Sequence, residues 1–144
     1  MRGYMSARDI FHQQVKRALS KEGWSITHDP YWIKLAGSDM NVYIDLAAER
    51  VLAAEKEGVK IAVEIKSFLG TSFLTDFHAA LGQYLDYRVA LKQKEPERGL
   101  FLAVPLDVYE SFFRRPFVQS VLSEYAVTLL TFDPQLEEIR SWIK

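Results

Sequence analysis

The chain has 144 residues, which is long enough for one compact domain with its own hydrophobic core. Hydrophobic residues make up 49% and charged residues 26%, an ordinary globular composition that excludes a disordered chain. The sequence contains no cysteine, so disulfides, thiolate catalysis and cysteine-based zinc sites are excluded. We therefore expect a single domain over residues 1–144.

The net charge of −1 also limits the partners that the chain can bind. A protein that grips DNA unaided usually carries a basic surface, so we expect any contact with DNA to be weak or assisted. The N-terminal stretch MRGYMSARD lacks the apolar core of a signal peptide, and no apolar run approaches the length of about 18 residues that spans a bilayer. We expect a soluble, cytoplasmic protein that makes no membrane contact.

Local patterns predict a helix and then short strands at the start of the chain. Ser6 is a candidate N-cap with Asp9 three residues later, and the helical spacing that follows ends at Gly23. The stretch GWSITHDPYWIKL is rich in residues that favour strands and is broken at Asp29-Pro30. It predicts one or two short strands.

The next two segments predict a β-hairpin. NVYIDLAAERVLAAE favours a long strand, and its alanine, glutamate and arginine content leaves open a strand that runs into a helical turn. The segment 55–58, with the sequence EKEG, predicts the turn. VKIAVEIKSF then returns as an apolar central strand.

The second half of the chain alternates helices and strands. Residues 72–92 show helical spacing, and Pro96 and Gly99 then force a loop. GLFLAVPL and VTLLTFD predict buried strands, and between them DVYESFFRRPFVQSVLSEY predicts a helix broken at Pro116. The tail through Trp142 adds a strand or a short helix. The whole order indicates an α/β fold with helices on both faces of one sheet.

Two charged residues interrupt the apolar strand KIAVEIKSF. Because side chains alternate along a strand, Glu64 and Lys66 share one face while Ile61, Val63 and Ile65 point to the other. A charged pair at the border of an apolar layer costs stability unless other groups pair with it or a ligand uses it. This pair is therefore a candidate for chemistry.

Asp45, on the preceding strand of the hairpin, is the natural companion of Glu64. One antiparallel register places Asp45 directly opposite Glu64. Any register in which the numbers of two facing residues add up to an odd number leaves both side chains on one face. The length of the hairpin loop and any bulge decide whether the two carboxylates meet.

Two carboxylates that approach one another repel unless a divalent cation lies between them, and hard oxygen ligands favour Mg²⁺ or Mn²⁺ over zinc. Lys66 could orient or deprotonate the attacking water and balance charge on a phosphate. The pattern indicates metal-assisted phosphodiester hydrolysis.

These residues resemble a known signature. Asp45 followed by Glu64-Ile65-Lys66 is similar to the Asp…(Asp/Glu)-X-Lys motif of the PD-(D/E)XK nuclease superfamily. Gln83 and Tyr87, one helical turn apart, resemble the extra motif of its RecB-like and Holliday-junction-resolvase-like branches. The resemblance implies a restriction endonuclease-like fold, with three α/β/α layers around a central mixed sheet.

Over residues 6–144 the sequence resembles the XisH family of cyanobacterial proteins, the fdxN element excision controlling factors. FHQQVKRALSKEGWSITHDP, VEIKSF and ALGQYLDYR carry that resemblance. It implies a role in programmed excision of a DNA element, together with a site-specific recombinase and the companion protein XisI. A homodimer would suit a cut on two strands.

The superfamily pattern also implies a role for each site residue. Asp45 and Glu64 would bind the metal through their carboxylates, and Ile65 would bind it through its backbone carbonyl. Lys66 would interact with the attacking water, and Gln83 would support the site. These roles follow from the resemblance and not from the spacing of the residues.

The sequence departs from the superfamily pattern upstream of these residues. Many relatives place a glutamate of the first helix near the metals, whereas His12 or Gln13 occupies that region here. Ile44 stands where the proline of the superfamily name would precede Asp45. The first-helix difference leaves the number of metals open.

Each residue also has a structural explanation. A Glu-x-Lys tripeptide is usually an exposed strand face, Gln83 is typical of a helix surface, and Tyr87 is typical of a core. His12 could be an ordinary partly buried histidine. Two functions therefore stand: a metal-dependent nuclease-like enzyme, or a non-catalytic excision factor that uses the same fold to bind a partner or position the recombinase.

Overall fold

The computed structural model describes residues 7–31 and 51–144. Its helices are α1 (Ala7–Lys21), α2 (Phe73–Lys94), α3 (Leu106–Val108), which continues into a π-helical turn (Tyr109–Phe113), and α4 (Pro116–Glu124). Its strands are β1 (Ser25–His28), β2 (Val51–Lys56), β3 (Val59–Ile65), β4 (Gly99–Pro105), β5 (Leu129–Asp133) and β6 (Glu138–Ile143).

The six strands form one mixed sheet in the order β1-β2-β3-β4-β5-β6. The central pairs β3–β4 and β4–β5 are parallel, and the other three pairs are antiparallel. The chain connects the parallel strands through helices, as parallel pairing requires. Over the described residues the mixed α/β architecture and the predicted order of elements are thus confirmed, and the tail forms a strand. The first ten residues of the predicted strand NVYIDLAAERVLAAE lie outside the described residues.

Hydrophobic residues cover both faces of this sheet. Alternation along β3 sends Ala62 into a core with α2, while Ile61, Val63 and Ile65 enter a second core with α1. Helices therefore pack on both faces, as the sequence predicts. A central strand that is buried on both faces explains why β3 is apolar nearly throughout.

The β2–β3 hairpin corrects one detail of the sequence analysis. Its turn is only two residues long, because Lys56 pairs directly with Val59. Glu57 and Gly58 both have positive φ, at 52° and 82°, as a tight type I′-like hairpin turn requires. In this register Val51 lies directly opposite Glu64, so the register that places Asp45 there is wrong.

Local chemistry explains the ends of the later helices. Ser72 caps α2, since its hydroxyl accepts a hydrogen bond from the Thr75 N–H at 3.2 Å. Pro116 opens α4 at a position where its missing N–H costs nothing, which is the break predicted from the sequence. Among the helices of residues 7–31 and 51–144, none has the length and apolar character needed to cross a bilayer.

Candidate functional site

Glu64 lies one residue before the end of β3, at the edge of the sheet where the parallel strands β3 and β4 finish. It pairs with Leu102 of β4 on one side and with Val51 of β2 on the other. Its side chain shares a face with Ala62 and Leu102, which both belong to the core under α2. Glu64 is fully buried, so its carboxyl group lies within the layer under α2.

Lys66 continues the extended backbone beyond β3. Its N–H donates to the Ala103 carbonyl at 3.1 Å, which keeps the chain paired to β4 and returns the Lys66 side chain to the face of Glu64. Lys66 is only 9% exposed. The structure therefore confirms the shared face that alternation predicts, with both charged groups buried.

The chain leaves the strand through a constrained segment. Phe68 is buried with φ at 58°, a backbone region that costs a non-glycine residue roughly 1–2 kcal/mol. Its ring packs on Phe113 at 5.3 Å and on Phe73 at 6.3 Å between centroids. Aromatic packing thus holds the exit from Lys66 in a single conformation.

Hydrogen bonding fixes the next step of that segment. The Gly70 N–H donates to Asp76 Oδ2 at 3.0 Å, and a Cβ at position 70 would meet the same carboxylate at 2.7 Å. A larger residue at position 70 would therefore require the Asp76 side chain to move. These contacts tie the loop after Lys66 to the helix that carries Gln83.

Gln83 and Tyr87 lie on one flank of α2. On the opposite flank Arg88 reaches the carbonyls of Tyr125 and Ala126, just before β5. Helical periodicity therefore places Gln83 and Tyr87 on a different side of α2 from Arg88. Tyr87 is buried in the core, as its simpler explanation predicts.

The Gln83 side chain is not an ordinary surface amide. Its Oε1 atom is buried and has no hydrogen-bond partner among the residues that the structure describes. A buried acceptor without a partner loses its hydration without compensation, which costs about 1–3 kcal/mol. Such an atom is a candidate ligand or support for a bound group.

His12 lies on α1, which packs on the other face of the sheet. It is fully buried, and its Nε2 lies 2.6 Å from Asp29 Oδ1, while Lys16 Nζ lies 2.7 Å from Asp29 Oδ2. Burial opposes the charged form of Asp29, but the hydrogen bonds from Lys16 and His12 outweigh it and lower the Asp29 pKa. Gln13 is exposed.

Sequence reasoning missed the contact between His12 and Asp29. The two residues are far apart in the chain. The only signal in the sequence was an aspartate at the end of a predicted strand and a histidine in a predicted helix. Asp29 follows β1 where that strand pairs with the start of β2, at the sheet edge that also contains Glu64. A metal-binding role for His12 stays a prediction.

Glu64, Ile65 and Lys66 thus lie together at the edge where β3 ends. Asp45 lies outside the described residues, so its predicted position beside Glu64 remains a prediction. In the β2–β3 hairpin the residue numbers of each facing pair add up to an odd number. This is the condition under which the predicted strand would place Asp45 on the same face as Glu64.

The available donors suit a hard divalent cation. Glu64 offers a carboxylate, and Gln83 offers a buried amide oxygen. Ile65 sends its side chain into the opposite core, which leaves only its carbonyl as a ligand. Within residues 7–31 and 51–144 no three His, Asp or Glu side chains form a metal-binding group.

Comparisons with known proteins agree on one family. The family model described as XisH protein matches residues 5–140. No curated protein matches the chain.

Two crystal structures are similar over almost the whole chain. An XisH family protein from Nostoc punctiforme is 47% identical with a TM-score of 0.85, and the match covers 94% of this chain and 100% of that one. A fdxN element excision controlling factor protein from Anabaena variabilis is 46% identical with a TM-score of 0.85, and the match covers 95% and 100%. The chain therefore belongs to the XisH family.

Proposed function

We propose that this chain acts on DNA during the programmed excision of a chromosomal element, as a metal-dependent nuclease-like protein. The observation that carries the proposal is the fully buried Glu64 with Lys66 on the same face, at the edge where the parallel strands end. A fold without chemistry at this edge would gain stability from apolar side chains there, because a buried charge is costly.

The fold supports the same proposal. We place the domain in the restriction endonuclease-like class of three-layer α/β/α folds. A mixed sheet with helices on both faces, and with the acidic residue on a central strand, is consistent with that class.

In the proposed site each residue has a distinct task. The carboxylates of Glu64 and Asp45 and the carbonyl of Ile65 hold a Mg²⁺ or Mn²⁺ ion. The Lys66 ammonium, held on the face of Glu64, donates hydrogen bonds to the attacking water or to a phosphate oxygen. Gln83 accepts a hydrogen bond at the border of the site, which gives its buried amide oxygen a partner.

When bound, the cation would polarise the water and neutralise charge that develops on the phosphodiester. The chain's own contribution is geometric. The strand pairing of β3 with β4 and the packing of Phe68 keep the Glu64 and Lys66 backbones fixed relative to one another.

The test is a cleavage assay with Mn²⁺ on branched, single-stranded and duplex DNA. We expect the wild-type chain to cut at least one of them and Glu64→Gln to lower the rate by roughly 100-fold or more. Glu55→Gln is the matched control, because Glu55 is a half-buried glutamate on the neighbouring strand with Lys60 as its partner. Equal rates for the two variants would contradict the proposal.

The net charge of −1 favours a second candidate, a non-catalytic excision factor. In that function the same fold binds an XisI-like companion protein or positions the site-specific recombinase. Absence of cleavage on all three DNA substrates, together with tight binding of the companion protein, would establish it.

A homodimer is proposed for the enzyme, and sedimentation analysis of the purified chain tests it.

A further inference from the structure

A cavity among the described residues lies at the opposite end of the sheet from Glu64. It has a volume of about 430 Å³ and lies between the second half of α2 and the starts of β3 and β4. This volume falls in the range of small-molecule binding clefts, which is roughly 300–1,000 Å³. The candidate metal site uses none of its residues.

The cavity concentrates positive charge in a chain whose net charge is slightly negative. Its lining includes five cationic side chains and one acidic side chain, Glu97. One of the five, Arg98, is buried and neutralised, because its guanidinium contacts Glu95 Oε1 at 3.0 Å and Oε2 at 3.2 Å. The other four are Lys60, Arg88, Lys92 and Lys144.

Arg88 is already positioned for binding. One terminal nitrogen donates to the Tyr125 carbonyl at 2.6 Å and to the Ala126 carbonyl at 3.3 Å, and the guanidinium carbon lies 5.6 Å from the Tyr84 ring centroid. A guanidinium has five N–H donors, so these bonds leave others for an anion. Because these contacts already hold the Arg88 side chain in place, binding an anion there costs less side-chain entropy.

The floor of the cavity is apolar. On the α2 side of the sheet it is formed by three buried residues of one core: Tyr84, Leu91 and Leu100. A simple inorganic anion would gain nothing from such a floor. A ligand that combines an anionic group with a flat apolar group uses both parts of the lining.

We propose that this cavity binds a nucleotide unit, with the phosphate at Arg88, Lys92 and Lys144 and the base over the apolar floor. The unit could come from a free nucleotide or from a nucleotide within a DNA strand, which share this chemistry. The site is separate from the proposed metal site, since Ile61 and Glu64 lie toward opposite ends of β3.

Calorimetric titration of the full chain in EDTA tests the proposal with four probes: orthophosphate, AMP, ATP and a 5′-phosphorylated hexathymidylate. EDTA removes divalent ions, and the titration is repeated on Glu64→Gln, which we expect to bind as the wild type does. The charge reversals Lys92→Glu and Lys144→Glu should each weaken binding about tenfold.

Lys94→Glu is the matched control, because Lys94 is exposed near the end of the same helix and lies outside the cavity lining. Binding of AMP and ATP supports a free nucleotide, and binding of the oligonucleotide alone supports a strand. Orthophosphate that binds as tightly as AMP would overturn the nucleotide assignment. No binding by any probe, or equal weakening by Lys94→Glu, would overturn the site itself.

Discussion

Glu64 carries a carboxylate into a layer of apolar side chains, where a buried charge lowers the free energy of unfolding unless another group interacts with it. Lys66 shares that face and is nearly as buried, whereas Lys60, at the other end of the same strand, is partly exposed. The strand thus offers two lysines in the same orientation, one in the candidate site and one outside it.

The role of Lys66 can be separated from its packing. Lys66→Met keeps most of the aliphatic stem and removes the ammonium, so we expect DNA cleavage to fall roughly 100-fold or more while the melting temperature changes by only a few degrees. Lys94→Met, at an exposed lysine of α2 that lies outside both sites, should leave cleavage unchanged. A Lys66→Met variant that cuts DNA at the wild-type rate would remove Lys66 from the chemistry.

Gln83 carries a buried amide oxygen that has no partner among the described residues. Gln83→Met replaces this amide with an apolar side chain of similar size, so we expect the metal-free protein to gain about 0.5–1 kcal/mol of stability in urea unfolding. The same variant should lower cleavage. Loss of stability would indicate that the amide is a structural hydrogen-bonding group.

For single residues, the sequence predicted which side chains share a strand face but not which side chains of different elements meet. Alternation along the strand placed Glu64 and Lys66 on one face, because a two-residue period needs no tertiary information. The contact between His12 and Asp29 depends on how α1 packs against the end of β1, which no local pattern encodes. The same reason explains why the burial of the Gln83 oxygen was not predicted.

Among the secondary-structure elements, the β2–β3 hairpin and α2 determine where the site residues lie. The hairpin order was predictable, but its register was not, because the tight turn places a glutamate at positive φ where glycine, asparagine or aspartate is usual. Glu55 and Lys56 therefore belong to β2, and the predicted four-residue turn is two residues long. This shift moves Val51 opposite Glu64.

The sequence predicts helical spacing from residue 72, and in the structure Ser72 is the N-cap of α2. Ser72→Ala should lower the free energy of unfolding by about 1 kcal/mol, because the Thr75 N–H loses its acceptor. Ser120→Ala is the control, since Ser120 is an exposed residue inside α4 where alanine is tolerated well. Urea unfolding that shows equal stability for both variants would contradict the capping role.

The end of α2 predicts a pH dependence. A hydrogen bond from Arg98 lowers the Glu95 pKa against the opposing effect of burial, and the Tyr31 hydroxyl also donates to Glu95. A lowered folded pKa stabilises the protein above the ordinary glutamate value of about 4.3, and that stability is lost as the pH falls through the folded value.

We therefore expect the wild type to lose stability more steeply than Glu95→Gln below about pH 4. At neutral pH Glu95→Gln should be less stable by about 1–2 kcal/mol, because the buried Arg98 guanidinium loses its anionic partner. Glu97→Gln, an exposed substitution two residues later, is the control. Parallel pH profiles for the wild type and Glu95→Gln would contradict this account.

In the whole molecule, two regions of different chemistry lie at opposite ends of one sheet. Glu64 and Lys66 lie where β3 ends, and the basic cavity lies where β3 begins, about 10 Å away along the strand between Ile61 and Glu64. The order of elements, and so the edge at which the strands end, could be predicted from the sequence. The cavity could not, because residues from four distant segments converge to form it.

The central claim is that Glu64 helps to hold a divalent cation. The most direct measurement is an anomalous difference map from crystals of the chain soaked in Mn²⁺, compared with crystals of Glu64→Gln. We predict a peak within bonding distance of the Glu64 carboxylate and the Ile65 carbonyl, and no peak there in the variant. A map without a peak at Glu64, or with the same peak in Glu64→Gln crystals, would contradict the account.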